Sequence, residues 1–158
     1  MQLYIRGMDK VNKVTAFIAA ILLAISSVII IFQVASRYVL HYPLPWSEEL
    51  ARYLIIYVVL LGTAVAVRHQ KLIKVDFLVE LLPGKKKQFL ILLISAISIV
   101  FFSILLYMGT NVFLQVSTQT SPSLQIPMSI PYASIPLGAL LMMLNSIVVI
   151  LETISGRN

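Results

Sequence analysis

The chain has 158 residues, 59% of them apolar and only 11% charged, where soluble domains run at about 45–50% apolar and 25% charged. That balance excludes an ordinary water-soluble domain, because the apolar residues form runs longer than an aqueous core uses. The net charge of +6 is not a nucleic-acid footprint, since the basic residues stand at the ends of apolar runs with no aromatic interleaving across a polar face.

From Val14 to Ser36 no residue is charged, and a helix of that length rises about 34 Å, enough to cross a hydrocarbon core of about 30 Å with some tilt. Arg6, Lys10 and Lys13 precede it like the basic start of a signal peptide. The run is too long for a signal core, however, and no small-x-small cleavage site closes it. An uncleaved anchor over about 14–36 is expected. A second span is predicted over about 50–67, with Arg52 in its first turn and Arg68 just past its end, where long basic side chains reach the interfaces. Leu72 to Leu82 then alternates apolar residues with Lys74, Asp76 and Glu80 ahead of Pro83 and Gly84. This pattern predicts a short amphipathic helix over about 72–82, suited to capping by Asp76 and lying along the membrane interface.

Gln88 to Leu151 carries no charge, and as one helix it would reach about 96 Å, three bilayers deep. It must fold back, and the polar stretch Ser117 to Ser123 with Pro122, Pro127 and Pro131 marks where. Span three is therefore placed over about 88–113 and span four over about 131–151, with Pro131 fitting a first helical turn and a bend expected at Pro136. The fold class is all-α integral membrane, a single domain over 1–158 with four transmembrane helices. Basic residues set its orientation. Arg6, Lys10 and Lys13, then Arg68, Lys71, Lys74, Lys85, Lys86 and Lys87, and finally Arg157 fall on one side, against Arg37 and Arg52 on the other. Both termini are accordingly expected in the cytoplasm, and a bacterial inner membrane agrees with these counts.

The chemistry available is narrow. A transporter that works alone needs ionisable or strongly polar groups at membrane depth, and the chain offers almost none, with no charge in the centres of spans one, three and four. Cysteine is absent, and His41 and His69 are predicted on opposite sides of the bilayer, so no nucleophile, metal or cofactor site is expected and the chain is not read as an enzyme. Tyr107, Asn111 and Asn145 are expected to hydrogen-bond between helices. Ala16, Ala20 and Ala24 recur at four-residue spacing, as do Gly62 and Ala66, which suits close packing against another helix in this chain or in a partner.

One polar constellation stands out, at the predicted outer mouth. Arg37 and Tyr38 end span one, and Pro45, Trp46, Ser47, Glu48, Glu49 and Arg52 open span two. Pro45 suits a first helical position, Trp46 the headgroup belt, and Glu48 and Glu49 the positive end of a helix. Glu48 pairs with Arg52 one turn on, and Arg37 is expected to reach the same carboxylates across the hairpin. By physics alone a self-satisfied hairpin is slightly favoured over a docking edge, because an exposed ion pair contributes only about 0–1 kcal/mol.

Arg37-Tyr38-Val39-Leu40, then Leu44-Pro45-Trp46-Ser47-Glu48-Glu49-Leu50-Ala51-Arg52-Tyr53, Gly62, Ala66-Val67-Arg68 and Val75-Asp76-Phe77-Leu78 together resemble the small, DctQ-like membrane subunit of tripartite ATP-independent periplasmic (TRAP) transporters. The resemblance covers most of the chain and is carried by its first half, the last two spans adding only length and hydropathy. It implies a scaffold for a large elevator-type permease subunit, served transiently by a periplasmic substrate-binding protein and driven by a sodium gradient, for uptake of an organic acid such as a dicarboxylate or a sialic acid. It implies a periplasmic partner edge shaped by Arg37, Tyr38, Pro45, Trp46, Glu48, Glu49 and Arg52, and a cytoplasmic one by Arg68 and Asp76. Membrane lipids are the other expected partner. Two rival readings are a stand-alone four-span transporter, which lacks the carboxylate it needs inside a span, and an assembly subunit of another membrane complex, which gives no reason for the Pro-Trp-Ser-Glu-Glu hairpin.

Overall fold

The computed structural model describes residues 2–39, 41–69 and 85–155; the helix expected over 72–82, with Asp76, lies outside them. Among the described residues four helical segments are long and apolar enough to cross a membrane. They are α1 (Gln2–Tyr38), α2 (Pro45–Arg68), α3 (Lys85–Gln115) and a last span built from the single turn α4 (Ser129–Tyr132) and α5 (Ser134–Ile154). The described residues contain no strand, only an isolated bridge between Thr120 and Pro127 in the connection from α3 to α4.

The helices overrun the uncharged stretches that announce them. Arg6, Lys10 and Lys13 are good helix formers, so α1 starts well before Val14, and its 37 residues make a rod about 55 Å long. α2 opens at Pro45 in its first turn, where the fixed φ is already helical and the missing N–H had no partner to lose. Between α1 and α2 the Ser36 hydroxyl donates to the Tyr42 carbonyl at 2.7 Å and the Tyr42 N–H donates to the Ser36 carbonyl at 3.2 Å. These bonds close the hairpin around His41, whose φ is 54°. In the last span α4 and α5 meet at Ala133, whose backbone stays helical, its N–H donating to the Ser129 carbonyl at 2.8 Å and its carbonyl accepting the Leu137 N–H at 3.3 Å. Pro136 is the third residue of α5 and has no N–H to offer the Tyr132 carbonyl one turn before it.

The long helices pack in the order α1, α2, α5, α3, leaving α1 and α3 as the two edges. Along α1 the buried residues Ile5, Met8, Asn12, Thr15, Ala19, Ser26 and Ser36 step by threes and fours, with half-buried Leu22, Ile29 and Gln33 completing the series. This heptad seam keeps one face inward over the whole helix. Ala16, Ala20 and Ala24 lie off the seam and are exposed, because a single residue step turns a side chain by about 100° around the axis. The tight approaches come elsewhere. A Cβ at Gly138 would stand 2.8 Å from Leu60 Cβ, and one at Gly109 would stand 2.6 Å from Ile135 Cγ2, whereas Gly62 has nothing within 4 Å.

Two small apolar clusters hold the row: Ala64, Val67, Phe102 and Met142 join α2, α3 and α5, and Ile5, Met8 and Val148 join α1 to α5. Much of the remaining interior is small and polar, including Thr15, Ser26, Ser47, Ser95, Ser134 and Ser146, while Phe17, Val28, Ile31, Phe89 and Ile97 point outward. That arrangement inverts a soluble protein, as expected where lipid is as apolar as leucine and helices associate through close packing and hydrogen bonds.

Candidate functional site

Two polar assemblies mark the two ends of the helix row. At the hairpin end, the first turns of α2 carry Glu48 and Glu49 toward different partners. Glu48 pairs with Arg52 one turn away at 3.2 Å, and both side chains are largely exposed. Glu49 turns inward. One of its oxygens accepts the Tyr53 hydroxyl, and the other accepts the backbone N–H groups of Ser123 and Leu124 at 2.9 and 3.0 Å. The connection that supplies those donors is itself a tight loop. The Ser121 N–H donates to the Ile126 carbonyl at 2.8 Å, and Gln125 takes a left-handed φ of 55°. One turn deeper the Tyr57 hydroxyl donates to the Ile130 carbonyl. The carboxylate of Glu49 thus fastens the α3–α4 connection onto α2 with two charge-assisted bonds to main-chain donors.

Between α2 and this connection lies an open cleft of about 520 Å³, lined by Glu48, Arg52, Tyr53, Ser123, Met128 and Tyr132 among others. Its polar groups are the Glu48–Arg52 pair, Glu49, tyrosine hydroxyls and a loop, a set that offers neither a nucleophile with its base nor a group of metal ligands. Among the described residues no three His, Cys, Asp or Glu side chains are grouped to hold a metal.

At the opposite end Arg68, the last residue of α2, spans three helices. Its two terminal nitrogens donate to the two carboxylate oxygens of Glu152 in α5, both at 2.7 Å, and its Nε donates to Asp9 Oδ1 in α1 at 2.9 Å. The Arg68 and Glu152 side chains are only 13% and 16% exposed, that of Asp9 51%. The planar fork of arginine suits this two-sided grip, and a lysine could not make it. Further into the row the amides of Asn12 and Asn145 bond reciprocally, at 2.6 and 2.8 Å, and Asn145 also donates to the Ala64 carbonyl at 2.7 Å. Both asparagines are buried. Asp9 and Glu152, near the two ends of the described residues, thus both lie at the Arg68 end.

The family model described as "Tripartite ATP-independent periplasmic transporters, DctQ component" matches residues 26–156, most of the chain and all four spans in whole or part. The chain belongs to the DctQ family. It is a small, multi-pass membrane subunit of a TRAP transporter and not an enzyme. The chain is similar to the sialic acid TRAP transporter permease protein SiaT of Haemophilus influenzae, with 34% identity over 89% of this chain and 23% of SiaT. It is 28% identical to the sialic acid TRAP transporter small permease protein SiaQ of Vibrio cholerae over 87% of this chain and 79% of SiaQ. It is 34% identical to the C4-dicarboxylate TRAP transporter small permease protein DctQ of Rhodobacter capsulatus over 63% of this chain and 44% of that protein. The chain therefore spans about a quarter of SiaT but most of SiaQ.

In this DctQ-family chain, Pro45, Glu48, Glu49 and Arg52 share the hairpin-end cleft. Tyr38, Trp46 and Arg37 are exposed outside it. Arg37 makes no ion pair with another described residue, so Glu48 is left to Arg52 and Glu49 to the loop. Arg68 is engaged inside the chain. Asp9, Asn12 and Glu152 were not singled out from the sequence. Their signal is a polar or acidic residue at the margin of an apolar run, on the same predicted side as Arg68.

Proposed function

We propose that this chain is the stationary subunit of a sodium-coupled, binding-protein-dependent transporter for an organic acid. It braces a larger permease subunit whose transport portion moves like an elevator. It sits in a bacterial inner membrane with the hairpin end facing the periplasm, where the binding protein docks transiently, and with both termini in the cytoplasm. The observation that carries this reading is the state of the polar groups between the helices. The centres of the spans have no charged side chain, and among the described residues no fully buried side-chain nitrogen or oxygen lacks a partner. Cargo or a coupling ion needs charged groups or a convergent polar cluster at membrane depth, so the transport site belongs to a companion. The relatives support the same division. The chain's match is most of a "small permease protein" in SiaQ but 23% of a "permease protein" in SiaT and 25% of isethionate DctMQ from Oleidesulfovibrio alaskensis. In those longer proteins a small-subunit segment is joined to a larger portion. Sialic acid, C4-dicarboxylates and isethionate, the substrates in the relatives' names, are all organic anions, which supports an organic acid as cargo.

Reconstitution tests the reading. The chain with its large permease subunit and binding protein is expected to accumulate labelled sialic acid or C4-dicarboxylate in liposomes under a sodium gradient. The chain alone is expected to accumulate none. Uptake by the purified chain alone overturns the assignment. Trp46→Ala, on the exposed hairpin, should reduce recovery of the large subunit or transport while the binding protein's own affinity for substrate stays constant.

A further inference from the structure

The outward face of α3 carries two polar side chains that no described residue satisfies. Tyr107 is 66% exposed, and neither its hydroxyl nor the Asn111 amide one turn later makes a hydrogen bond. Exposed Tyr107 and half-buried Asn111 lie on the side of the helix opposite its buried line Ser95, Phe102 and Gly109, and among the described residues the only long helix packed on α3 is α5.

Packing fixes their depth. Gly138 lies against Leu60, and Gly109 lies against Ile135. Leu60 is two turns short of Arg68 and four turns past Pro45, and Ile135 is one turn nearer the hairpin end than Gly138. Tyr107 is therefore level with the middle of α2 and about 12 Å from the end of α3 at Gln115, while Asn111 stands about 6 Å from that end. At that depth lipid chains offer no hydrogen-bond partner, and an unpaired hydroxyl or amide is costly. Neighbouring polar side chains avoid the cost by bonding back to their own helix: Ser103 to the Ile99 carbonyl and Thr110 to the Leu106 carbonyl, both at 2.8 Å. The other edge of the row differs. Val14, Phe17, Ile21, Ile25, Val28 and Ile31 present an apolar exposed face on α1, which lipid covers without loss.

We propose that the outward face of α3 is the seat of the larger permease subunit, and that one of its transmembrane helices offers main-chain carbonyls or polar side chains to Tyr107 and Asn111. The outer face of α1 is left to lipid. This rests on the reading of the chain as a small subunit that braces a larger one. The complementarity is one of polarity. The surface needs hydrogen-bonding groups within the membrane, which a polytopic protein supplies, and the segment shared with this chain makes up only 23% of SiaT and 25% of DctMQ.

The test uses the complex in native membranes, with a photo-crosslinking phenylalanine analogue placed at position 107 in one variant and at position 28 on α1 in another. The expected result is an adduct between position 107 and the large subunit and none from position 28. Adducts from position 28 alone, adducts from position 107 only to a second copy of this chain, or no protein adduct from either position would each overturn the proposal. If the unmodified chain fails to copurify with the large subunit at all, the scaffold reading falls as well, and that outcome is distinct from the others. A second measurement avoids the bulky probe. Tyr107→Phe and Asn111→Leu keep the apolar area, and each is expected to weaken association about threefold, the effect of one interhelical hydrogen bond in a membrane. Unchanged recovery of the large subunit by the double variant contradicts the proposal.

Discussion

At the scale of single residues, polar side chains in this protein divide by whether the chain uses them itself. Asn12, Asn145 and the Ala64 carbonyl form a closed set across three helices. Removing one member strands the others where they are buried. Asn145→Leu is expected to lower unfolding stability in detergent by about 1–2 kcal/mol, and the double variant Asn12→Leu/Asn145→Leu should cost less than the sum of the two single ones. Strictly additive losses in that cycle would show that the amides act independently. At the hairpin end the two adjacent glutamates should behave differently. Glu49→Ala deprives the Ser123 and Leu124 N–H groups of their acceptor and is expected to lower the thermal midpoint. Glu48→Ala removes only an exposed pair and should leave the midpoint nearly unchanged. Thermal unfolding of both variants in one detergent checks the contrast.

At the scale of elements, backbone approach decides which small residues matter. Gly138 faces Leu60 so closely that an added Cβ at 2.8 Å would meet another Cβ. That atom is tied to the main chain, so α2 and α5 must separate to admit it. Gly138→Ala is expected to lower the unfolding midpoint. Gly62→Ala meets nothing within 4 Å and should be neutral or stabilising, since glycine inside a helix costs about 1 kcal/mol relative to alanine. A destabilised Gly62→Ala beside an unaffected Gly138→Ala would contradict the described α2–α5 packing. Both glycines are visible in the sequence, but spacing alone singled out Gly62, and the closer contact was at Gly138. A four-residue interval specifies a helix face without saying which neighbour that face meets.

At the scale of the whole molecule, the Arg68 clasp joins the beginning, middle and end of the chain by holding α1 and α5 to the end of α2. Arg68→Lys loses the two-pronged grip on Glu152 together with the reach to Asp9. The first three turns of α1 should then loosen, giving faster tryptic cleavage after Lys10 and Lys13 in limited proteolysis. Asp9→Asn is expected to act in the same direction more strongly than Glu152→Gln, because Asp9 is the partner on α1 whereas Glu152 steadies Arg68 from α5. Unchanged cleavage in all three variants would mean that this contact does not hold α1 in place.

The sequence by itself determined that the chain crosses a membrane, how many spans it has and where the long uncharged run turns back. Each of these follows from the length of apolar stretches and from prolines, and both act through the local backbone. The residues of the hairpin also carry the likeness to its family. Only the tertiary structure decided that Arg68 meets Asp9 and Glu152, that Glu49 holds a loop more than seventy residues away, that α5 sits between α2 and α3, and that Tyr107 is left facing outward. These depend on which helix faces which. In a membrane every face is apolar enough to be exposed, so hydropathy cannot rank the neighbours; close backbone approach and the pairing of a few polar groups choose among them.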